Sequence, residues 1–315
     1  MWHDTRSGGP PAAAGTGKGT WAMIEEHWGL QHAPFTLHPD VRFLFESTAH
    51  REGLARLLFA VGELRGGITL LTGEIGCGKT TLARALTRLL PPERYRTAVI
   101  VNPLLPVGQL LAAILREFGG ERLRGSKAEL ADALHSHLAA LSARRVLAVL
   151  IVDEAQLLGR PQLEELRLLT NLETNEEKLL HLVLIGQPEL AARAARFPEL
   201  AQRITMRFHL RPLSFAETGS YIGHRLRVAG ASQPLFTDGA VAEIYRHTGG
   251  VPRLINIACA HALFLAAAAG RSQVDAAAAA SAAREIDLTA ERAAARPQAA
   301  GARERPIPIR SARVS

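Results

Sequence analysis

The chain has 315 residues, 47% of them hydrophobic and 21% charged, a balance typical of a globular protein and not of a disordered one. The formal net charge is +7, but residues 1–22 and 286–315 carry +4 of it, so the body of the chain gives little indication of a basic face. Two cysteines are too few for a disulfide framework or a cysteine-rich zinc site, and we see no secretory leader. These features predict a cytoplasmic protein without a membrane span.

Apolar runs of strand length alternate with helical patterns through the first two thirds of the chain, which predicts an α/β fold with a parallel sheet. The predicted strands are residues 67–72, 97–101, 146–152, 181–185 and 204–210. The predicted helices between them are residues 47–63, 80–90, 107–118, 126–141, 161–172 and a short one from residue 188.

From Ser214 onward only helical patterns remain, and they predict a four-helix bundle. Ser214 and Glu217 have the spacing of a capping box at its first helix. The predicted helices are residues 214–228, 237–247, 252–269 and 272–285. The sequence therefore predicts a disordered tail over 1–22, an α/β domain over 23–211, a helical domain over 212–285 and a second disordered tail over 286–315.

A phosphate-binding loop follows the first predicted strand directly. Residues Gly73–Thr80 match G-x-x-x-x-G-K-T, in which glycines let successive backbone N–H groups face an anion at a helix N-terminus. Lys79 is expected to reach the β and γ phosphates of a nucleotide, and Thr80 to bind Mg²⁺. The predicted nucleotide-binding residues of this segment are Gly73, Glu74, Ile75, Gly76, Cys77, Gly78, Lys79, Thr80 and Thr81.

Two adjacent acids, Asp153 and Glu154, end the strongly apolar strand 146–152. Placing two carboxylates at the end of a buried strand costs desolvation free energy unless a cation and a water lie there. Asp153 is expected to hold Mg²⁺ through its waters, and Glu154 to orient and deprotonate an attacking water. A solvated pair of acids is the alternative, which the phosphate loop disfavours.

Other chemically active side chains give weaker signals. His27, His32, His38 and His50 match no metal-ligand spacing, so solvated or core roles are favoured. Because a helix N-terminus lowers the pKa of a thiol, Cys77 is either a reactive thiol or a small residue tolerated in a tight loop.

At this point the chain resembles the AAA+ ATPases of the ExeA or GspA type, the A component associated with type II secretion. The resemblance covers roughly residues 28–285. Beyond the phosphate loop, its motifs here are WGL at 28–30, PF at 34–35, FLF at 43–45, HRE at 50–52, VDEAQ at 152–156, IGQPEL at 185–190, QRI at 202–204 and GVPRLIN at 250–256.

The resemblance implies a role for several further residues. Gln187 is expected to be sensor 1, which reaches the γ phosphate, and Arg203 the arginine finger that completes a neighbouring subunit's site. Arg253 is expected to be sensor 2 in a helical lid. The resemblance also implies that the adenine site is lined by Pro34, Phe35 and Phe45, although such residues are often core.

We therefore expect a cytoplasmic AAA+ ATPase that hydrolyses ATP with Mg²⁺ as a homo-oligomer and acts on an unidentified protein partner. The chain also resembles the TnsC or TniB-like regulators of transposition. Any ATP-dependent DNA binding is expected to be weak and without sequence preference, because the body of the chain carries little excess positive charge. Three roles stay open: assembly of secretion machinery, regulation of transposition, and a nucleotide-gated interaction switch.

Overall fold

A computed structural model describes residues 20–37, 41–43, 45–121, 125–174 and 177–285. Contacts divide the chain into two compact units. We call Glu46–Pro212 the sheet unit, and the described residues up to Phe45 together with those from Leu213 the helical unit. The predicted tails lie outside the described residues, except that residues 20–22 form the first turn of a helix.

The sheet unit is built on five parallel strands in the order β2-β3-β4-β1-β5. The strands are β1 (Gly67–Gly73), β2 (Tyr95–Ile100), β3 (Leu147–Val152), β4 (Leu180–Gly186) and β5 (Ile204–Leu210). Since all strands are parallel, their carboxyl ends share one edge of the sheet, where α/β proteins bind ligands. The predicted α/β fold with a five-stranded parallel sheet is confirmed.

The helices of the sheet unit begin and end largely where the sequence predicts. They are α2 (Thr48–Gly62), α3 (Lys79–Leu89), α4 (Val107–Glu117), α5 (Lys127–Ala143), α6 (Arg160–Leu169), α7 (Glu189–Ala195) and α8 (Pro198–Ala201). Ser47 caps α2 by accepting a hydrogen bond from the backbone N–H of His50. Ser126 and Glu129 form a capping box at α5.

Two of the three interior strands, β3 and β4, are buried nearly throughout. One face of the sheet forms a single core with α4 and α5, in which Leu110, Ile114, Leu134 and Leu138 are 0% exposed. Each such side chain stabilises the fold by about 1.5–3 kcal/mol. Burial on both faces explains why these strands are continuous apolar runs in the sequence and do not alternate.

One interior residue, His181 of β4, is polar and fully buried. Its Nε2 lies 2.9 Å from the hydroxyl oxygen of Thr69 on β1. Burial lowers the pKa of His181 from 6.5 to about 4. The folded chain therefore keeps this ring neutral under conditions in which an unfolded chain would protonate it.

The free energy of unfolding is expected to fall as the pH drops from 6.5 towards about 4, because only the unfolded chain then takes up a proton at His181. The loss between pH 7 and pH 5 is about 2 kcal/mol. Urea unfolding of the wild type and of His181→Gln at both pH values measures it. The variant lacks the titrating ring and should lose about 2 kcal/mol less; equal losses in both chains would contradict the prediction.

The helical unit contains α1 (Thr20–Trp28), α9 (Phe215–Val228), α10 (Asp238–Thr248), α11 (Pro252–Ala268) and α12 (Ala276–Glu285). The predicted capping box is confirmed: Ser214 Oγ accepts a bond from the Glu217 N–H at 3.2 Å, and a Glu217 carboxylate oxygen accepts one from the Ser214 N–H at 3.0 Å. Within the described ranges, no helix combines the length and the apolar character needed to cross a bilayer.

A buried arginine fastens the irregular segment after α1 to helix α9. Arg225 is 6% exposed and donates to the carbonyl of Pro34 at 2.5 Å and to the hydroxyl of Tyr221 at 2.8 Å. Its guanidinium also lies 4.9 Å from the centre of the Phe43 ring. A guanidinium bound to carbonyls and aromatic rings satisfies its donors while staying charged.

The structure differs from the predicted domain division in the placement of residues up to Phe45. The sequence assigned residues 23–45 to the α/β domain, whereas the contacts group them with the C-terminal helices. The indole N–H of Trp28 donates to the carbonyl of Leu263 at 3.2 Å. Such docking through single aromatic residues and backbone carbonyls leaves no periodic pattern in a sequence.

Candidate functional site

The phosphate loop leaves the carboxyl end of β1 and enters α3. Gly78 is the N-cap of α3 with φ 98°, and Gly76 has φ 81°, a region that side chains other than glycine rarely adopt. A Cβ at Gly78 would also lie 2.6 Å from His50 Nε2. Backbone conformation and space therefore both require glycine where the N–H groups of the helix end are to face an anion.

Lys79 holds its ammonium group inside this loop. Only 6% of the residue is exposed, and Nζ donates to the carbonyls of Gly73 at 2.8 Å and Glu74 at 2.9 Å. Burial lowers the pKa of Lys79, and this effect exceeds the opposing influence of nearby acidic groups. A buried ammonium bonded to neutral carbonyls is suited to exchange them for the oxygens of a phosphate.

The two acids after β3 lie at the same edge, as the sequence predicts. The hydroxyl of Thr80 donates to Asp153 Oδ2 at 2.6 Å, and Asp153 is 3% exposed. The backbone N–H of Glu154 donates to Asp153 Oδ1 at 2.9 Å. Glu154 itself adopts a left-handed conformation with φ 51°, a strained backbone that non-glycine residues keep chiefly at functional sites.

Gln187 follows β4, between the strands that carry the phosphate loop and the acid pair. Its backbone N–H donates to Gln156 Oε1 at 3.0 Å, and Gln156 Nε2 donates to Glu154 Oε2 at 2.6 Å. No role for Gln156 was predicted from the sequence. Its position two residues after Glu154 within VDEAQ is the signal that could have identified it.

Cys77 is not a reactive thiol. It is 1% exposed, and burial raises the pKa of Cys77 to about 12, which opposes the lowering expected from a helix N-terminus. The thiol therefore stays protonated near neutral pH, and thiolate chemistry is excluded there. Of the two interpretations, the small residue tolerated in a tight loop agrees with the structure.

Glu74, at the second position of the loop, carries a carboxylate oxygen that is buried without a hydrogen-bond partner in the described part of the chain. Burial raises the pKa of Glu74; Glu189 acts in the same direction and Lys79 opposes it. The Glu74 carboxylate thus lies near the charges of Lys79 and Glu189. A phosphate bound at Lys79 would change the electrostatic environment of this carboxylate.

Arg203 lies at the opposite edge of the sheet. It immediately precedes β5, and its carbonyl accepts a bond from the Ile68 N–H at the start of β1. The length of β5 separates Arg203 from the carboxyl edge by roughly 20 Å, at about 3.3 Å per residue. Arg203 is therefore too far away to act on the nucleotide of its own sheet unit.

The remaining predicted site residues belong to the helical unit. Arg253 is exposed in the first turn of α11. Phe35 is 2% exposed and packs edge-on against Phe236, with ring centres 6.1 Å apart. Pro34 is buried, and the half-buried Phe45 lies edge-on to Tyr221. The burial of Phe35 favours a core role, while the sensor role of Arg253 and the adenine contacts stay predictions.

No group of three or more potential metal ligands of the His, Cys, Asp and Glu types occurs in the described residues. His50, one of the four histidines considered above, has its imidazole Nδ1 2.8 Å from the hydroxyl of Ser47 at the start of α2. His50 thus contacts both its own helix cap and the phosphate loop beside Gly78.

The chain is similar to several known proteins. A family model described as an AAA domain matches residues 63–193, which include the phosphate loop, the acid pair and Gln187. General secretion pathway protein A of Aeromonas hydrophila is 46% identical over 256 residues, which are 80% of this chain and 46% of that protein. The resemblance inferred from the sequence is confirmed, and the chain spans less than half of that relative's length.

Solved structures show the same fold at low sequence identity. The ORC2 protein of Aeropyrum pernix matches with a TM-score of 0.62 and 17% identity, over 81% of this chain and 72% of its own. Drosophila ORC bound to DNA matches with a TM-score of 0.60 and 21% identity, over 93% and 73%. The RuvB branch migration motor of Thermotoga maritima matches with a TM-score of 0.53 and 18% identity, over 78% and 70%.

Proposed function

We propose that this chain, which carries an AAA domain and is related to General secretion pathway protein A, hydrolyses ATP with Mg²⁺ as a homo-oligomer. Hydrolysis would drive the assembly or remodelling of a protein partner in the cytoplasm, as the relationship to a secretion protein suggests. The match to an AAA domain and the shared fold are the premise of this proposal.

One contact carries the proposal: the 2.6 Å hydrogen bond from the Thr80 hydroxyl to Asp153 Oδ2. It brings the last residue of the phosphate loop to the first of the two acids. Hydroxyl and carboxylate oxygens are the ligands that Mg²⁺ prefers, alongside waters and substrate phosphates. Thr80 and Asp153 thus fit a magnesium ion, which when bound would neutralise charge on the β and γ phosphates.

The side chains around this contact can perform the hydrolysis. Lys79 would replace its bonds to the carbonyls of Gly73 and Glu74 with bonds to phosphate oxygens. Glu154 would take a proton from a water whose oxygen forms a bond to the γ phosphorus, while the bond from that phosphorus to the bridging oxygen of ADP breaks. The products are ADP and inorganic phosphate.

The homo-oligomer is part of the proposal because of where Arg203 lies. At the amino end of β5 it is remote from its own phosphate loop, and it is half-buried at the start of the strand. In that position it is suited to the nucleotide of a second copy of the chain. DNA binding stays a prediction, because the solved structures that contain DNA share less than 25% identity with the chain and support only the fold.

Phosphate release from ATP by the purified chain is expected to require Mg²⁺ and to stop when EDTA removes it. Thr80→Val deletes one magnesium ligand at nearly constant shape, so the Mg²⁺ concentration for half-maximal rate should rise about tenfold, equivalent to ~1.4 kcal/mol. Thr87→Val is the matched control, since its exposed hydroxyl on the same helix donates to the carbonyl of Arg84. No phosphate release above background with Mg²⁺ would overturn the proposal.

A further inference from the structure

Gln156 bridges the proposed base and the segment that carries Gln187. It lies in a short 3₁₀ turn, Ala155–Leu157, directly after Glu154. Its amide nitrogen donates to Glu154 Oε2 at 2.6 Å, and its amide oxygen accepts from the Gln187 N–H at 3.0 Å. Both ends of one planar amide are thus used, and they join the loops that follow two neighbouring strands, β3 and β4.

Two further features hold this side chain in place. Arg193 of α7 donates to the carbonyl of Gln156 and, at 2.5 Å, to that of Leu158, which fixes the backbone of the turn. Gly186 leaves room for the amide, because a Cβ at that position would lie 2.6 Å from Gln156 Oε1. A larger residue at 186 would displace the amide from its bridging position.

We propose that Gln156 is a positioning residue that fixes the orientation of the Glu154 carboxylate and ties it to the strand end carrying Gln187. The inference rests on the proposed function and adds a regulatory coupling to it. The bond to Oε2 leaves Oε1 available to accept the proton of the attacking water. Movement of the Gln187 segment on contact with a γ phosphate would then be passed directly to the base.

The strained backbone of Glu154 makes this contact more important. With φ 51°, Glu154 has a backbone conformation that non-glycine residues rarely adopt, and the hydrogen bond from Gln156 fixes the direction of its carboxylate. A misplacement of about 1 Å in a reacting group can lower a rate by about 10²-fold. The size of that effect makes the role measurable.

Two variants separate the two halves of the bridge. Gln156→Leu removes both bonds, whereas Gln156→Glu keeps an acceptor for the Gln187 N–H but replaces the donor to Glu154 with a repelling carboxylate. Both are expected to lower kcat by about 10²-fold and to leave the KM for ATP unchanged. Amide hydrogen exchange at Gln187, measured without nucleotide, should accelerate in Gln156→Leu and keep its wild-type protection in Gln156→Glu.

Gln162→Leu is the matched control, because its amide on α6 donates to the carbonyl of Leu105 away from the acid pair; it should retain the wild-type kcat. Wild-type kcat in Gln156→Glu, or unchanged exchange at Gln187 in Gln156→Leu, would overturn the inference alone. If Gln156→Leu fails to fold, Gln156→Glu carries the test. If the wild type releases no phosphate, the proposed function fails, and the proposed role of Gln156 fails with it.

Discussion

Lys79→Ala is expected to weaken ATP binding by about 10²-fold or more, whereas Glu154→Gln is expected to bind ATP normally and to lose turnover. Lys79 offers its buried ammonium to the phosphates of the bound substrate, and charge-assisted hydrogen bonds contribute about 1.5–3 kcal/mol each. Glu154 acts only when the water is deprotonated, so its replacement by an isosteric amide should lower kcat by about 10²–10⁴-fold.

Equilibrium binding of a fluorescent ATP analogue and phosphate release at saturating ATP measure the two effects separately. Lys178→Ala is the control for Lys79, because Lys178 pairs with Glu173 at the surface of the same unit. Glu117→Gln is the control for Glu154, since Glu117 forms an exposed pair with Arg116 at 3.6 Å. Normal turnover by Glu154→Gln would remove this residue as the base.

Arg203→Ala is expected to lower turnover by about 10³–10⁵-fold while leaving ATP binding nearly intact, because an arginine finger stabilises the charge of the transition state. The arginine serves a neighbouring subunit in this scheme. Activity per wild-type chain should therefore rise with protein concentration as the oligomer forms.

Mixing two inactive variants tests the arrangement directly. Arg203→Ala has an intact phosphate loop and Lys79→Ala an intact arginine, so their mixture should recover part of the activity at interfaces that combine the two. Arg207→Ala is the matched control: this exposed arginine on the same strand donates only weakly, at 3.4 Å, to the carbonyl of Ala201. If no mixing ratio restores turnover, Arg203 is a structural residue.

Much of the site could be predicted because its signals are local. The spacing from Gly73 to Thr80 encodes backbone angles and a helix start within eight consecutive residues, and the strand before Asp153 fixes the edge at which the acids appear. The parallel sheet then brings the two segments together without further information. The 2.6 Å contact between Thr80 and Asp153 follows from these local patterns and the topology.

Other features could not be predicted because they depend on tertiary packing. The pKa of Cys77 is set by burial, which outweighs the influence of the helix end. The bridge made by Gln156 depends on two strand ends being neighbours and on space beside Gly186. The docking of the segment before Phe45 involves the buried Arg225, which no periodic pattern distinguishes from a surface residue.

Because the helical unit joins two distant segments of the chain, it can form only late during synthesis. The sheet unit, Glu46–Pro212, is continuous, whereas the helical unit joins residues up to Phe45 with residues from Leu213. A ribosome adding about 5–20 residues per second needs on the order of ten seconds to cover that interval. The partners of Trp28 and Phe35, on α11 and beside α10, are synthesised only after that interval. The sheet unit can therefore complete its core while the first segment is still exposed to chaperones and proteases.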